Sequence, residues 1–367
     1  MSRLATTRDP DPRRAVAEIA AQLHRPAERA GVALFVSDAY DLDALAAALD
    51  AELGPDVVGC TSRGQIGPGG FEDAGITAVS FDRSTVRMRS HVIRPDDQDD
   101  EAASRIARSI ERTRDHLPDR WRTFGLLLAN RPGAGRESLS ARLAAALGDV
   151  PFVGGTTVDG GRPSHVFVQG EFVEAGALFT EMHTTRPFAL LRVQGVVAGA
   201  RRLVVTESSP ERRTVHELNG EPAAEAYAEA LGVRRRELGA LAALRPLVTF
   251  VDGEPFVRSV RAVLDDGSLR FGCAVPEGTI LSLGESVDPV VTLFRSLTQT
   301  CDELSGEPKV IIGCDGLFRR AARVSSSISA AVGSYFARSG VVGFATSGEH
   351  YNGVAVNDTF TAIAIGG

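Results

Sequence analysis

The stretch VVGFATSGEH, residues 341–350, is nearly a second copy of VVGCTSRGQI, residues 57–66, and FVGGTTVDGG, residues 152–161, is a third version of the same phrase. The spacing from residue 57 to residue 152 is 95, and the spacing from 152 to 341 is 189, close to twice that value. A repeat of this period predicts a fourth, more diverged copy near residue 247. The chain is therefore predicted to contain one structural unit in several copies.

An apolar run and a helix precede each phrase. The run GVALFV, residues 31–36, is typical of a buried strand. A helix with leucines on one face follows it, with Asp41 as the predicted N-cap and Gly54 at its end. Similar runs start at Phe124 and Lys309, and a further short apolar strand follows each phrase. Each unit therefore has the order strand, helix, strand, strand.

This order predicts the fold class. A helix between two apolar strands favours their parallel pairing, whereas the short link to the last strand favours an antiparallel pair. We expect an α/β protein with mixed β-sheets flanked by helices, a layered αββα-like sandwich built from about four units in two halves. The predicted domains are residues 13–205 and 206–367, because a polar segment follows the strand-like RRLVVTE there.

Composition excludes several classes of protein. The chain has 40 basic and 47 acidic residues and is 43% hydrophobic, so neither a nucleic-acid nor a membrane partner is expected. The 4 cysteines are widely spaced, without a C-x-x-C pair, so no disulfide framework and no metal site is indicated. The first residues lack the apolar core of a signal peptide, which predicts a cytoplasmic protein.

The repeated phrase has two interpretations. Its glycines serve tight turns or close packing, or its small polar side chains line a cleft between the units and bind a small polar ligand. The residues that would line this cleft are Cys60, Thr61, Ser62, Gly154, Gly155, Thr156, Ser347, Gly348 and Glu349. In an interaction module without a small ligand, only the first interpretation would hold.

An enzyme is a further alternative. Cys60 or Ser62 would be the nucleophile of a hydrolase or transferase, with Glu349 as its base. The sequence contains no phosphate-binding loop, nucleophile elbow or H-E-x-x-H pair, and no catalytic set can be assembled from it. No catalytic residue is therefore assigned.

Five phrases in order resemble the FIST sensory proteins, which carry an N-terminal and a C-terminal FIST domain. VVGCTSRGQI and FVGGTTVDGG are similar to phrases of the N-terminal domain, and HELNGEPAAEAYAEALG, from His216, is similar to the junction between the domains. VVGFATSGEH and VNDTFTAIAI are similar to the last phrases of the C-terminal domain, where Asn357 matches. Gln65 departs from the pattern, since the family has an acid there.

The resemblance implies a ligand sensor in signal transduction, with small molecules such as amino acids as ligands. Glu349 would pair with a ligand ammonium group, and Arg319 would hold a carboxylate. The output would pass to a separate signalling protein such as a kinase. Some relatives resemble haem-based nitric-oxide sensors, so a haem sensor with His350 as axial ligand is an alternative, although no cofactor is assigned.

Overall fold

The computed structural model describes residues 2–130, 135–157, 163–174, 176–242, 245–318 and 326–367. Its helices are α1 (Pro12–Gln22), α2 (Leu42–Leu53), α3 (Asp99–Arg114), α4 (Gly135–Leu147), α5 (Ala223–Leu231), α6 (Leu238–Leu241), α7 (Pro289–Glu303) and α8 (Ser326–Arg338). The strands of the N-terminal part are β1 (Ser2–Thr7), β2 (Arg29–Ser37), β3 (Val57–Ser62), β4 (Gln65–Gly67), β5 (Gly70–Glu72), β6 (Ile76–Asp82), β7 (Val86–Ile93), β8 (Arg122–Ala129), β9 (Phe152–Thr157), β10 (His165–Val168), β11 (Glu171–Glu174), β12 (Ala177–Thr184) and β13 (Phe188–Gln194). Those that follow are β14 (Val196–Ser209), β15 (Thr214–Leu218), β16 (Glu221–Pro222), β17 (Leu247–Val251), β18 (Glu254–Arg258), β19 (Val260–Val263), β20 (Leu269–Phe271), β21 (Ile280–Ser286), β22 (Val310–Asp315), β23 (Val341–Tyr351), β24 (Val354–Val356) and β25 (Thr359–Ile365).

Local sequence signals explain the first unit. The Asp41 side chain accepts a hydrogen bond from the Ala44 N–H at 3.0 Å, which satisfies a free donor at the start of α2. Gly54 ends the helix with a φ of 69°, a conformation that favours glycine. The leucines of α2 that face the sheet are buried, and every residue of β2 after Ala30 is buried or nearly so. The predicted strand and helix are confirmed here.

The strands form three sheets. Sheet 1 has the order β1-β6-β2-β3-β10-β11, and sheet 2 has the order β13-β25-β22-β23-β9-β8-β12-β7 with β4, β5 and β24 attached. Sheet 3 has the order β18-β17-β21-β14-β15-β20-β19 with β16 attached. Sheets 1 and 2 mix parallel and antiparallel pairs, whereas sheet 3 is antiparallel.

Sheets 1 and 2 pack face to face. Their shared core contains Phe35 from sheet 1 and Phe344 from sheet 2, whose rings stack with centroids 5.0 Å apart. Helices α1 and α2 cover the outer face of sheet 1, while α3, α4, α7 and α8 cover that of sheet 2. The predicted helix, sheet, sheet, helix layering is confirmed. Sheet 3 has a separate core with α5 and α6.

Three segments of the chain have the topology predicted for the unit. In β2-α2-β3-β6, β8-α4-β9-β12 and β22-α8-β23-β25, the first two strands are parallel and the last is antiparallel to the first. The chain near residue 247 differs, because β17 and β18 form an antiparallel hairpin without a crossover helix between them. The last unit joins the second through the β23–β9 pair, so chain segments from both predicted halves share sheet 2. The domain boundary between residues 205 and 206 stays a prediction.

Candidate functional site

The three copies of the phrase meet at one place, here called the phrase junction and defined by residues 59–65, 154–157 and 343–350. In the β23–β9 pair, Glu349 lies opposite Gly155 and His350 lies opposite Gly154. The first copy joins them through the Ala345 N–H, which donates to the Gly64 carbonyl oxygen at 2.8 Å. The repeat thus brings together residues that are far apart in sequence.

One glycine occupies the same position in every copy and has a packing role. A Cβ atom at this position would lie about 2 Å from a carbonyl oxygen of the parallel neighbouring strand, far inside van der Waals contact. The pairs are Gly59 with Leu34 at 2.1 Å, Gly154 with Leu127 at 2.1 Å, and Gly343 with Gly313 at 1.9 Å. For this glycine, close strand packing explains the repetition.

Most predicted site residues are buried within the junction. Cys60, Thr61, Ser62, Thr156, Glu349, His350 and Asn357 are each at most 3% exposed, whereas Ser347 is exposed. The Thr61 hydroxyl accepts a hydrogen bond from the His165 N–H at 2.8 Å. Gly155 and Gly348 supply backbone to the β9 and β23 strands. Arg319 lies outside the described residues.

Glu349 lies fully buried among hydrogen-bond donors. The Thr346 hydroxyl donates to Oε1 at 2.5 Å, and the Thr359 N–H donates to Oε2 at 3.1 Å. Gly316 leaves room for this carboxyl group, because a Cβ atom there would lie 2.2 Å from Oε1. Each carboxyl oxygen therefore has a protein partner.

Burial raises the pKa of Glu349 to about 8, because the surroundings disfavour a charge, and the negative charges of Asp358 and Asp315 act in the same direction. The carboxyl group is then mainly neutral at pH 7. In that state it exchanges hydrogen bonds but contributes little charge. Its predicted pairing with a ligand ammonium group stays a prediction.

His350 and Asn357 are tied to neighbouring strands. His350 Nε2 lies 3.1 Å from the Thr156 hydroxyl oxygen, inside sheet 2 between β9 and β24. Asn357 Nδ2 donates to the Gly272 carbonyl oxygen at 3.5 Å and so links the end of β24 to sheet 3. An axial haem ligand needs a ring nitrogen that faces a large open space. The surroundings of His350 Nε2 do not fit that requirement.

The proposed nucleophiles Cys60 and Ser62 lie in the junction, and Cys314 lies beside it. Burial raises the pKa of both Cys60 and Cys314 well above the usual value, which disfavours a thiolate. The Ser62 hydroxyl lies 3.0 Å from each of two backbone carbonyl oxygens, those of Gly64 and Ala345. Within the described ranges, no group of three or more His, Cys, Asp or Glu side chains is arranged to hold a metal ion. These contacts give no support to the nucleophile alternative.

An arginine-lined cleft of about 440 Å³ opens beside the exposed end of the junction. This space is here called the arginine cleft. It is lined by Glu211, Arg212, Arg213, Arg261, Arg270, Phe271, Gly272 and Ser347. Arg213 pairs with Glu137 at 2.8 Å and Arg261 with Asp358 at 3.3 Å, and these pairs orient two of the guanidinium groups. Sequence reasoning missed the cleft, because its arginines come from separate segments of sheet 3.

The comparisons with known proteins agree with the sequence phrases. The model of the FIST N domain matches residues 31–221, and that of the FIST C domain matches residues 223–352. No curated protein matches the chain. Among solved structures, the chain is similar to a cyanuric acid hydrolase from A. caulinodans, with 10% identity, a TM-score of 0.41, and coverage of 100% of this chain and 99% of that chain. None of the described helices is both long and apolar enough to cross a membrane.

Proposed function

Because the chain belongs to the FIST family, whose domains are associated with sensing in signal transduction, we propose that it is a cytoplasmic sensor of a small polar ligand. The ligand carries a carboxylate or a similar anionic group, as an amino acid does. It binds in the arginine cleft, where strand β23 of sheet 2 meets sheet 3. The cleft itself is the observation that carries this proposal.

The charge and size of the cleft support such a ligand. Four arginines and one glutamate line it in a chain whose net charge is −7, so positive charge is concentrated there against the overall balance. Guanidinium groups bind carboxylates with two parallel hydrogen bonds. Arg212 and Arg270 are exposed to the cleft, and Glu211 would accept a hydrogen bond from a ligand amino group. A volume of about 440 Å³ suits a small molecule.

The position of the cleft supports a sensing role. Ser347 belongs to sheet 2, whereas the four arginines belong to sheet 3 or its connections. A ligand that contacts both sides would bind more tightly to one arrangement of the sheets than to others and would shift the population toward it. A separate signalling protein, such as a kinase, would recognise that arrangement.

The test measures binding of the twenty standard L-amino acids by isothermal titration calorimetry, with wild type, Arg270→Ala and Arg295→Ala compared. Arg295 is exposed on α7 and lies outside the cleft, so Arg295→Ala removes one positive charge without changing the cleft. We expect at least one amino acid to bind wild type and Arg295→Ala equally and Arg270→Ala about 10-fold more weakly, as for a lost charged hydrogen bond. Equal binding to all three proteins, or no binding at all, would contradict the proposal.

A further inference from the structure

A second cleft, of about 470 Å³, lies at the far edge of sheet 2, away from the phrase junction. It is formed by the edge strand β7, its neighbour β12 and helix α3. The residues that carry its chemistry are Arg87, Arg89, Arg112, His116, Glu181 and His183, and it is here called the histidine cleft. It contains no residue of the repeated phrases.

Strand register places these side chains together. In the antiparallel β7–β12 pair, Arg87 lies opposite His183 and Arg89 lies opposite Glu181. Alternate residues of a strand point to the same face, so these four side chains share one side of the sheet. Helix α3 and the turn after it add Arg112 and His116 from above.

Glu181 holds the wall of the cleft in place. It is fully buried, and its Oε1 accepts a hydrogen bond from the Ser109 hydroxyl at 3.3 Å. Arg89 Nε lies 3.6 Å from the same oxygen, and His91 Nε2 lies 3.7 Å from Oε2. One carboxylate thus orients groups from β7 and α3.

His183 lines the cleft, and one of its ring nitrogens is buried without a hydrogen-bond partner among the described residues. It is 1% exposed, and its Nδ1 lies 2.9 Å from the Thr123 hydroxyl oxygen, which fixes the ring. Its Nε2 lies 3.9 Å from Glu181 Oε1, beyond hydrogen-bonding distance, and has no hydrogen-bond partner in the described part of the chain. A buried imidazole nitrogen in this state is suited to a polar ligand, since leaving it unpaired costs free energy.

We propose that the histidine cleft is a second binding site, for a phosphate group, which Arg87, Arg112 and His183 Nε2 contact. Three arginines, two histidines and only one carboxylate line the cleft. Arginine forks match the oxygens of phosphate, and the imidazole adds a donor at a fixed point. The group comes either as free phosphate or as a phosphate ester of a small molecule.

The state of Glu181 fits this site. Burial alone would raise the pKa of Glu181, but the nearby imidazoles of His183 and His91 outweigh it and lower the pKa to about 2. The carboxylate stays ionised at neutral pH and offsets part of the repulsion among the arginines. The exposed Arg112 forms no ion pair within the described residues and so remains available to a ligand.

Calorimetric titration with inorganic phosphate and with phosphoserine tests the site in wild type, Arg112→Gln and Arg108→Gln. Arg108 is also exposed on α3 but does not line the histidine cleft, so it controls for the loss of one positive charge. We expect saturable binding to wild type and Arg108→Gln and about 10-fold weaker binding to Arg112→Gln. The ring resonances of His183 should shift on binding.

Each outcome has a defined meaning. Binding of both probes supports a site for free phosphate, and binding of phosphoserine alone supports a site for phosphate esters. Equal binding to the two variants, an unshifted His183 ring, or no saturable binding of either probe overturns the proposal.

Discussion

Glu181 and Glu349 are both fully buried in sheet 2, yet their carboxyl groups have opposite ionisation states. The pKa of Glu349 is raised to about 8, whereas that of Glu181 is lowered to about 2. Glu349 accepts hydrogen bonds from one hydroxyl and one backbone N–H and lies near other acids. Glu181 has two imidazoles and a guanidinium within 3.9 Å.

Burial alone therefore does not decide whether a carboxyl group in this protein is charged. Neutral donors near Glu349 do not outweigh the cost of removing a charge from water, while the two imidazoles near Glu181 do. The first site is suited to holding strands together and the second to supporting a charged binding surface. Four predictions test this difference.

The largest effect is expected for Glu349→Gln and depends on pH. A group whose pKa rises from 4.5 to about 8 on folding destabilises the fold progressively as pH increases between these values. Glutamine does not ionise, so the variant does not lose stability as the pH increases. Its amide oxygen still provides an acceptor for the Thr359 N–H. We expect similar free energies of unfolding for the two proteins near pH 5 and a more stable variant at pH 8, by about 4 kcal/mol.

Urea denaturation from pH 5 to pH 8 measures this difference. Glu254→Gln is the control, since Glu254 is exposed and pairs with Arg192 at the surface. A difference between wild type and Glu349→Gln that stays constant with pH would show that Glu349 is ionised in the folded protein.

The second-largest effect is expected for Glu181→Gln, which should destabilise the fold, whereas Glu349→Gln should stabilise it. The lowered pKa of Glu181 stabilises the fold above the ordinary value of 4.5, and this stabilisation is lost as pH falls toward about 2. At pH 7 the variant leaves His91, His183 and Arg89 without their anionic partner. We expect a loss of about 1.5–3 kcal/mol in the free energy of unfolding, the range for hydrogen bonds to a charged group.

Denaturation of this variant at pH 7 and at pH 3 provides the measurement. The loss should shrink at pH 3, where the unfolded carboxyl group is mainly protonated. An equal loss at both values would mean that packing rather than charge explains the effect.

The fold was predicted correctly in the segments that contain the repeated phrase. Apolar runs, the Asp41 cap and a recurring glycine specify a local unit, and three units have the predicted topology. Sheet 3 was missed because its strands pair through register and hairpins that leave no periodic signal. The expected fourth copy near residue 247 is a hairpin, since strand-like composition alone does not distinguish the two.

The site was predictable only in part, for a similar reason. Repetition identified residues that meet at the phrase junction, but it could not show that most of them are buried. The arginine and histidine clefts depend on contacts between distant segments. One signal for Glu181 was present, because a glutamate and a histidine interrupt the apolar strand ALFTEMHT, and buried charges require partners.

A smaller effect is expected for His183→Gln, which removes one imidazole beside Glu181. His183 is the strongest of the groups that lower the pKa of Glu181, so the pKa of that carboxyl group should rise by about one unit or more. Carbon-13 NMR of the glutamate side chains as a function of pH measures this shift. The control is His116→Gln, because His116 lines the same cleft but is exposed. An unchanged pKa in His183→Gln would place the cause with Arg89 and His91 instead.

The smallest effect is expected for Thr346→Val, which removes the hydroxyl donor to Glu349 Oε1. That hydrogen bond lowers the pKa of Glu349 against the effect of burial, so its loss should raise the pKa further above about 8. We expect a cost of about 1 kcal/mol in the free energy of unfolding at pH 7, the net value of one hydrogen bond. Thr346→Ser keeps the hydroxyl, so Glu349 should retain its wild-type pKa in that variant. In Thr346→Val, the free energy of unfolding should continue to fall with increasing pH up to a higher pH than in wild type. If valine and serine variants share one pH profile, the Thr346 hydroxyl has no part in setting the charge of Glu349, and burial together with the charges of Asp358 and Asp315 explains the raised pKa.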